Sequence, residues 1–313
     1  VERSRGLGDV YKRQALYSVA FYNMENLFDT IHDEGKNDYE YLPNGTNQWN
    51  TMKYKAKLKN MSEILSMLST DKLPMGPAII GVSEIENYRV LEDILKQPVL
   101  ADRGYQYVHY EGADQRGVDC AFFYNPKLFE LTNSKLVPYV YINDTVHKTR
   151  GFLIASGNIA GEKMHFIVNH WPSRAAASPA RERAGEQVRA IKDSLLREDS
   201  AAKIVIMGDM NDDPMDKSMA VALGAKRKPA DVGPTDLYNP WWDTLKKGYG
   251  TLMYKGKWNL FDQIVLSRPL VKTKKGLRYD HNEVFIRDYL IQQDGKYLSL
   301  IHISEPTRPL YIS

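Results

Sequence analysis

The chain has 313 residues, 43% of them hydrophobic and 26% charged, with a formal net charge of +3. This length and composition exclude a disulfide-stabilised miniprotein and global disorder, and no run of about 18 apolar residues suggests a membrane-spanning helix. The single cysteine, Cys120, excludes an internal disulfide and a cysteine-based zinc site, while the small net charge gives no argument for a nucleic-acid partner.

The two ends of the chain differ from the rest. Residues 1–14 and 298–313 resemble translated sequencing-adapter sequence, although a native disordered arm and a native last strand are the alternative. We therefore expect one domain at residues 15–297, lacking its last strand, between two non-native-looking flanks. On this interpretation the chain is a monomer of unknown localisation, and its sequence is compatible with an extracytoplasmic protein whose signal peptide was lost upstream.

Apolar, β-rich segments alternate with helical patterns in the remaining sequence. Strands are predicted at 17–22, 78–82, 105–110, 120–124, 136–141, 152–158, 165–168, 203–207 and 261–266. Helices are predicted at about 51–68, at about 89–96 and from Ser178-Pro179 onward, where Pro fits the first helical position. Several strands follow one another without a helix, which favours an α/β fold of two mixed sheets over a doubly wound parallel sheet. The polar stretch 225–249 is predicted to be a surface insertion.

Polar side chains follow four of the predicted strands at the point where each strand ends. They are Asn23, Glu84, His170 and the pair Asp209 and Asn211. Such positions sit on a rigid scaffold yet share a rim, where sites tend to be built.

Each of these residues also has an ordinary structural interpretation. Asn23 is typical of a turn, and His170 of a satisfied interior histidine, although the following Trp171-Pro172 favours exposure at the rim. The spacing of Asp209, Asn211 and Asp213 matches the start of a calcium loop, but Pro214 and Ala220 stand where an EF-hand needs Gly and Glu. Glu86-Asn87 fits a cap for the helix near Arg89.

Taken together and in this order, the segments resemble the endonuclease/exonuclease/phosphatase superfamily. The matching stretches are FYNMENLFD, IIGVSEIEN, GVDCAFFY, TRGFLI, VNHWPSR, IVIMGDMND and LFDQIVLS, between Tyr17 and about Ser267. The resemblance implies a four-layer α/β sandwich, similar to deoxyribonuclease I, with two packed mixed β-sheets, outer helices and the site at one edge.

The resemblance also implies a role for each matching residue. Glu84 is similar to the metal-binding glutamate, with Asn23 beside it, and the hard oxygen ligands suit Mg²⁺ or Mn²⁺. Asp209 would orient or deprotonate the attacking water, and Asn211 would hydrogen-bond the phosphoryl oxygens. His170 would act on the phosphate or the leaving group.

Three further residues are predicted on the same grounds, and one from its chemistry alone. Arg150 resembles the arginine that contacts substrate phosphate, and Glu111 is a candidate orienter of His170. Asp262 matches the aspartate that pairs with a histidine in a terminal S-D-H-x-P motif. Arg174 is a second candidate anion clamp, because guanidinium forks fit phosphate, with a solvated surface charge as the alternative.

The S-D-H-x-P motif itself is missing from the sequence. Asp280-His281 lies in RYDHNEVF, without the preceding Ser or the following Pro, and we interpret it as unrelated to the motif. We therefore expect Asp262 to lack its imidazole partner and the chain as written to be nearly inactive, since removing one member of such a unit costs orders of magnitude in rate.

Three functions remain open at this point. The first is a metal-dependent, nuclease-like phosphodiester hydrolase, an endonuclease or exonuclease. Short lysine and arginine clusters offer candidate nucleic-acid contacts, with solvated loops as the favoured alternative, and Trp241, Trp242, Tyr249 and Tyr254 could stack bases or simply pack the insertion. The second is a phosphatase or phosphoesterase for a small or lipid-linked phosphate, of the inositol phosphate or sphingomyelin type. The third is a catalytically dead binding protein on the same fold.

Overall fold

The computed structural model describes residues 15–68, 72–142 and 146–285, together with the backbone of residues 307–312. Its strands are β1 Tyr17–Leu27, β2 Ile79–Ile85, β3 Gln106–His109, β4 Asp119–Tyr124, β5 Phe129–Val137, β6 Phe152–Ile159, β7 Glu162–His170, β8 Lys203–Asp209, β9 Ala225–Lys226, β10 Leu237–Tyr238, β11 Leu252–Tyr254, β12 Lys257–Asn259, β13 Asp262–Ser267, β14 Tyr279–Val284 and β15 Thr307–Ile312. Its α-helices are α1 Thr51–Met67, α2 Tyr88–Leu95, α3 Pro98–Ala101, α4 Ser178–Glu198, α5 Trp241–Lys246 and α6 Arg268–Lys272.

The strands form two large sheets and one small hairpin. The first sheet has the order β14-β15-β1-β2-β4-β3, and the second has the order β5-β6-β7-β8-β13-β10-β9. Within the part of the chain that the structure describes, β11 and β12 pair only with each other. Within each large sheet one central pair is parallel, β1 with β2 and β7 with β8, while the neighbouring pairs β2–β4, β6–β7 and β8–β13 are antiparallel.

Three apolar layers hold the sheets and helices together. Alternate residues of β1 show the division, since Phe21 faces the second sheet and Tyr22 faces the helices. The layer between the sheets is lined by large aromatic side chains, including Phe122 and Phe166. α1 and α2 cover the outer face of the first sheet, and α4 covers the outer face of the second. This arrangement confirms the predicted four-layer α/β sandwich with two packed mixed sheets.

The predicted helices are confirmed to within about one residue at each boundary. Asn87 caps α2 by accepting hydrogen bonds from the backbone of Arg89 at 2.9 Å and Val90 at 3.3 Å. α4 begins at Ser178, with Ala177 rather than Ser178 in the cap position. None of the described helices combines the length and the apolar character that crossing a bilayer requires.

Two predictions about the second sheet are wrong. β5 runs over Phe129–Val137 instead of 136–141, because its residues are nearly all exposed or partly exposed and lack the apolar run that marks the buried strands. The stretch 225–249 is not a simple surface insertion, since β9 and β10 extend the sheet and Trp241 is fully buried. The Trp241 indole donates to the backbone oxygen of Ile264 at 2.7 Å, so this ring is a core residue and cannot stack on a ligand.

Of the two predicted flanks, residues 1–14 lie entirely outside the described residues, and residues 298–313 lie mostly outside them. The exception is β15, whose backbone lies between β14 and β1 and pairs antiparallel with both. The domain boundaries at 15 and 297 therefore stay a prediction, and the sheet position next to β1 is filled by Thr307–Ile312.

Candidate active site

The polar residues predicted at strand ends meet at one edge of the sandwich, although β1 does not end before Asn23 as predicted but continues to Leu27. Asn23 and Glu84 come from the parallel pair β1–β2 of the first sheet, and His170 and Asp209 from the parallel pair β7–β8 of the second. His170 and Asp209 are direct register partners at the ends of their strands. Because parallel strands end at the same edge of a sheet, two such pairs packed face to face bring all four side chains together.

The side chains make direct contacts across the two sheets. Asn23 Nδ2 donates to Asp209 Oδ2 at 3.0 Å, and His170 Nε2 lies 3.5 Å from Glu84 Oε1 and 3.9 Å from Asp209 Oδ2. The ligand atoms of Glu84, His170 and Asp209 all lie within 4.8 Å of one another. A set of two carboxylates and one imidazole at this spacing can hold a divalent metal ion.

Backbone strain is concentrated at this edge. Glu25, Asn26, Glu84 and Asn211 all have positive φ, at 48°, 56°, 58° and 52° respectively. Left-handed backbone costs a residue with a side chain roughly 1–3 kcal/mol and persists only where surrounding contacts impose it. One such contact joins two of these residues, because the Asn26 N–H donates to Glu84 Oε2 at 3.0 Å.

Burial changes the protonation of both central groups. The pKa of Asp209 is raised to about 6, first by burial and then by the neighbouring Glu84 carboxylate. The pKa of His170 lies well below its usual range because the ring is buried and Arg150 and Arg116 add positive charge nearby. The expectation of a rim-exposed His170 is wrong, since the residue is only 4% exposed. The lowered pKa favours the neutral imidazole, which can donate one hydrogen bond and accept another.

The comparisons with known proteins agree with this geometry. The family model described as "Endonuclease/Exonuclease/phosphatase family" matches residues 18–303. The chain belongs to the endonuclease/exonuclease/phosphatase family. Members of this family are generally dependent on divalent metal ions, and the cluster of Glu84, His170 and Asp209 suits such an ion. A search of curated proteins finds no match.

Solved structures show that the fold is shared. A humanized Danio rerio TDP2 matches with a TM-score of 0.60 and 13% identity, covering 96% of this chain and 100% of that one. The human Nocturnin catalytic domain with bound sulfate matches with a TM-score of 0.57 and 17% identity, covering 96% of this chain and 95% of that one. A Bacteroides thetaiotaomicron mannosyl-6-phosphatase matches with a TM-score of 0.58 and 14% identity, covering 95% of this chain and 98% of that one. At these identities the likeness concerns the fold alone.

In this endonuclease/exonuclease/phosphatase domain, one backbone carbonyl connects two predicted phosphate-binding residues. The oxygen of Trp171 accepts from Asn211 Nδ2 at 3.0 Å and from Arg150 Nη2 at 3.0 Å. Arg150 is buried and also donates from Nη1 to Asp114 Oδ2 at 3.1 Å. The structure therefore brings Arg150 and Asn211 to the same edge as His170. The shared Trp171 carbonyl could not be predicted, because a backbone oxygen leaves no signal in the amino-acid sequence.

Arg174 has a different environment from Arg150. Its side chain is 43% exposed. The guanidinium group lies over the Phe261 ring, 4.4 Å from its centre, and donates to the backbone oxygen of Asn211 and to Asp216. Asp212 and Asp213 lie 3.5 Å away. These carboxylates already balance its charge, which favours a role in holding the 211–216 loop and weakens the case for an anion clamp.

Asp262 lies in the site as a neighbour of Asp209. The two residues are register partners in the antiparallel pair β13–β8, and Asp262 is only 4% exposed. Its backbone N–H donates to Thr251 Oγ1 at 3.3 Å, which ties the start of β13 to the loop before the β11–β12 hairpin.

Asp280-His281 lies away from this edge of the sandwich. Asn282 pairs with Leu310, which in turn pairs with Val19, so the dipeptide is level with the first half of β1. At roughly 3.3 Å per residue, the offset from Val19 to Asn23 corresponds to about 13 Å along the strand. Both side chains are 50% exposed and contact each other at 2.6 Å.

We therefore expect His281→Ala to leave the rate of phosphoester hydrolysis unchanged, because the imidazole lies too far from Asp209 and Asp262 to act there. The measurement is hydrolysis of a generic phosphodiester at saturating Mg²⁺ by both proteins. Loss of turnover in the variant would show that Asp280-His281 does take part in the reaction.

Sequence reasoning misjudged one carboxylate and missed one lysine. Glu111 does not orient His170; its carboxylate lies 3.5 Å from Lys36, beside His109 and Asp119, and Glu84 takes the place beside His170. Lys57 of α1 points inward to the end of β1. Burial lowers its pKa to about 8, against the opposing effect of Glu25 and Glu84.

Proposed function

We propose that this protein is a divalent-metal-dependent phosphodiester hydrolase, nuclease-like in its chemistry, that uses in-line attack of water at phosphorus. The observation that carries the proposal is the convergence of Asn23, Glu84, His170 and Asp209 from two sheets onto one edge. Family membership and the metal dependence general to the family support it.

The side chains fit Mg²⁺ or Mn²⁺ by their chemistry. Glu84 and Asp209 offer carboxylate oxygens and Asn23 lies beside them, which is the hard ligand set these ions prefer. The raised pKa of Asp209 reflects the cost of placing two carboxylates together in a buried site. A bound divalent cation would supply positive charge that offsets this cost and the charge developing on the phosphoryl oxygens.

The remaining residues have separate tasks in the proposed reaction. Asp209, whose pKa is raised by burial and by Glu84, accepts the proton of the attacking water in its ionised form. Asn211 donates a hydrogen bond toward the phosphoryl oxygens, and the shared Trp171 carbonyl holds Arg150 beside it. Both Nη atoms of Arg150 already bond to protein groups, including Asp114, so its contribution is positive charge close to the site. His170 lies 3.5 Å from Glu84 through Nε2 and orients this carboxylate, and its lowered pKa favours the neutral imidazole.

Nucleic acid stays a candidate substrate. TDP2 from Danio rerio has been crystallised with a single-stranded DNA product, whereas the bacterial neighbour is a mannosyl-6-phosphatase. In this chain, Lys226 lies 3.9 Å from Asp236 and Arg227 is 2.6 Å from Asp243, so this basic cluster is matched by local acids. A small or lipid-linked phosphate is therefore the alternative substrate.

The proposal is tested by comparing a phosphodiester with a phosphomonoester. We expect bis-p-nitrophenyl phosphate to be hydrolysed at a low but measurable rate in the presence of Mg²⁺, with no hydrolysis after EDTA treatment, and p-nitrophenyl phosphate to react more slowly. High enzyme concentration and single-turnover conditions allow a slow reaction to be followed.

Other outcomes would redirect the assignment. Preference for the monoester would contradict the diesterase proposal and favour a phosphatase, and Mg²⁺ binding without hydrolysis of either ester would favour a binding protein. Binding to plasmid DNA that falls steeply with salt would support a nucleic-acid substrate, because each phosphate contact releases counterions.

A further inference from the structure

Lys57 connects helix α1 to the strained end of β1. Its ammonium group donates to the backbone oxygens of Glu25 and, at 3.2 Å, of Asn26. The same ammonium group lies 5.7 Å from the centre of the Trp49 ring. The lysine is thus held between an aromatic ring and two backbone carbonyls rather than extended into solvent.

The two carbonyls belong to residues that need external support. Glu25 and Asn26 both have left-handed backbone, at φ 48° and 56°, and neither is a glycine. A cation bonded to both carbonyl oxygens stabilises this conformation, which positions the Asn26 N–H for Glu84 Oε2 at 3.0 Å. The other oxygen of Glu84 faces His170 Nε2.

We propose that Lys57 is a positioning residue, which fixes the Glu25-Asn26 backbone so that the Asn26 N–H orients Glu84 toward the other ligands. The inference rests on the proposed metal-binding role of Glu84. Lys57 acts through the backbone, and it touches neither the metal site nor the substrate.

Positioning and simple electrostatics predict opposite effects for the loss of Lys57. The positive charge of Lys57 lies close to Glu25 and Glu84, and it therefore repels a cation that binds beside them. If charge alone mattered, removing the ammonium group would tighten Mg²⁺ binding. If Lys57 positions Glu84, removing it weakens Mg²⁺ binding despite the more negative site.

The test is Mg²⁺ binding to the full chain by titration calorimetry. We expect Lys57→Met to raise the Kd for Mg²⁺ by about 10-fold or more, the range found for residues that orient metal ligands indirectly. Lys59→Met is the matched control: it makes the same change on the same helix, but its side chain is 71% exposed and lies 3.7 Å from Glu63. We expect Lys59→Met to leave the Kd unchanged and Lys57→Arg to restore most of the affinity.

Two further readouts separate positioning from a general loss of structure. Hydrogen–deuterium exchange of residues 23–28 should rise in Lys57→Met while that of α4 does not, and kcat at saturating Mg²⁺ should fall less than the apparent Mg²⁺ affinity. If Lys57→Met does not fold, Lys57→Gln is measured in the same way. Unchanged or tighter Mg²⁺ binding in the folded variant would overturn the inference, whereas failure of the unaltered chain to bind Mg²⁺ would overturn the proposed function.

Discussion

Asp209→Asn is expected to lower the rate of metal-dependent hydrolysis by about 10³-fold, within the range for loss of a general base. Asparagine keeps the shape of the side chain and one oxygen for the Asn211 N–H, which now donates to Asp209 Oδ1 at 2.9 Å. It cannot accept the proton of the attacking water. The rate is measured under single-turnover conditions at several Mg²⁺ concentrations, so that weaker metal binding is separated from loss of the base.

The matched control is Asp243→Asn on α5. Asp243 is 53% exposed and pairs with Arg227 at 2.6 Å, away from the strand ends that form the site. We expect this variant to hydrolyse the diester at the unaltered rate. A residual rate in Asp209→Asn close to that of Asp243→Asn would exclude Asp209 as the base and require another proton acceptor.

The second large effect is expected on stability, from Glu86→Gln. Glu86 is only 3% exposed, and its Oε2 accepts from the Asp29 backbone N–H at 2.7 Å. Burial, followed by the carboxylates of Asp29, Asp33 and Asp38, raises its pKa to about 8. The variant should melt on the order of 10 °C higher at pH 9 and at nearly the same temperature at pH 4.5.

The sign follows from proton linkage. Below the ordinary glutamate pKa of 4.5, both folded and unfolded chains carry the protonated group, and Glu86 has no net effect. As the pH rises from 4.5 to about 8, the unfolded chain loses this proton first, and folding stability falls by at most about 5 kcal/mol. Glutamine keeps the acceptor for Asp29 and does not ionise, so the loss disappears.

Melting curves across this pH range test the expectation. Glu63→Gln makes the same change at a side chain that is 47% exposed, and its melting temperature should follow that of the unaltered chain at every pH. A pH-independent change in Glu86→Gln would show that the carboxyl is ionised in the folded protein.

Strand ends were the most predictable part of the site. Asn23, Glu84, His170 and Asp209 each follow an apolar run whose β-pattern is plain from sequence, and parallel neighbours must end together. The exposure of His170 was not predictable, because its burial depends on the sheet that packs across from it. Periodicity describes one element at a time and carries no information about such packing.

The position of Lys57 could be inferred from the helical repeat. It lies among Lys53, Lys55 and Lys59, but it stands four residues before the buried Met61 and so shares that side of α1. β5 shows the opposite difficulty. Its residues are nearly all exposed or partly exposed at the edge of a sheet, so the apolar pattern is too weak to mark the strand.

The division of the site between two sheets also constrains how the protein assembles. Asn23 and Glu84 lie within the first 124 residues, which supply β1 to β4, whereas His170, Asp209 and Asp262 belong to β7, β8 and β13 of the second sheet. A folding intermediate with only one sheet formed would contain only part of the ligand set and would bind a divalent ion weakly. Metal affinity would then appear in the last step of folding, when the two sheets dock. The ion would stabilise the docked state by a free energy that increases with the ion concentration.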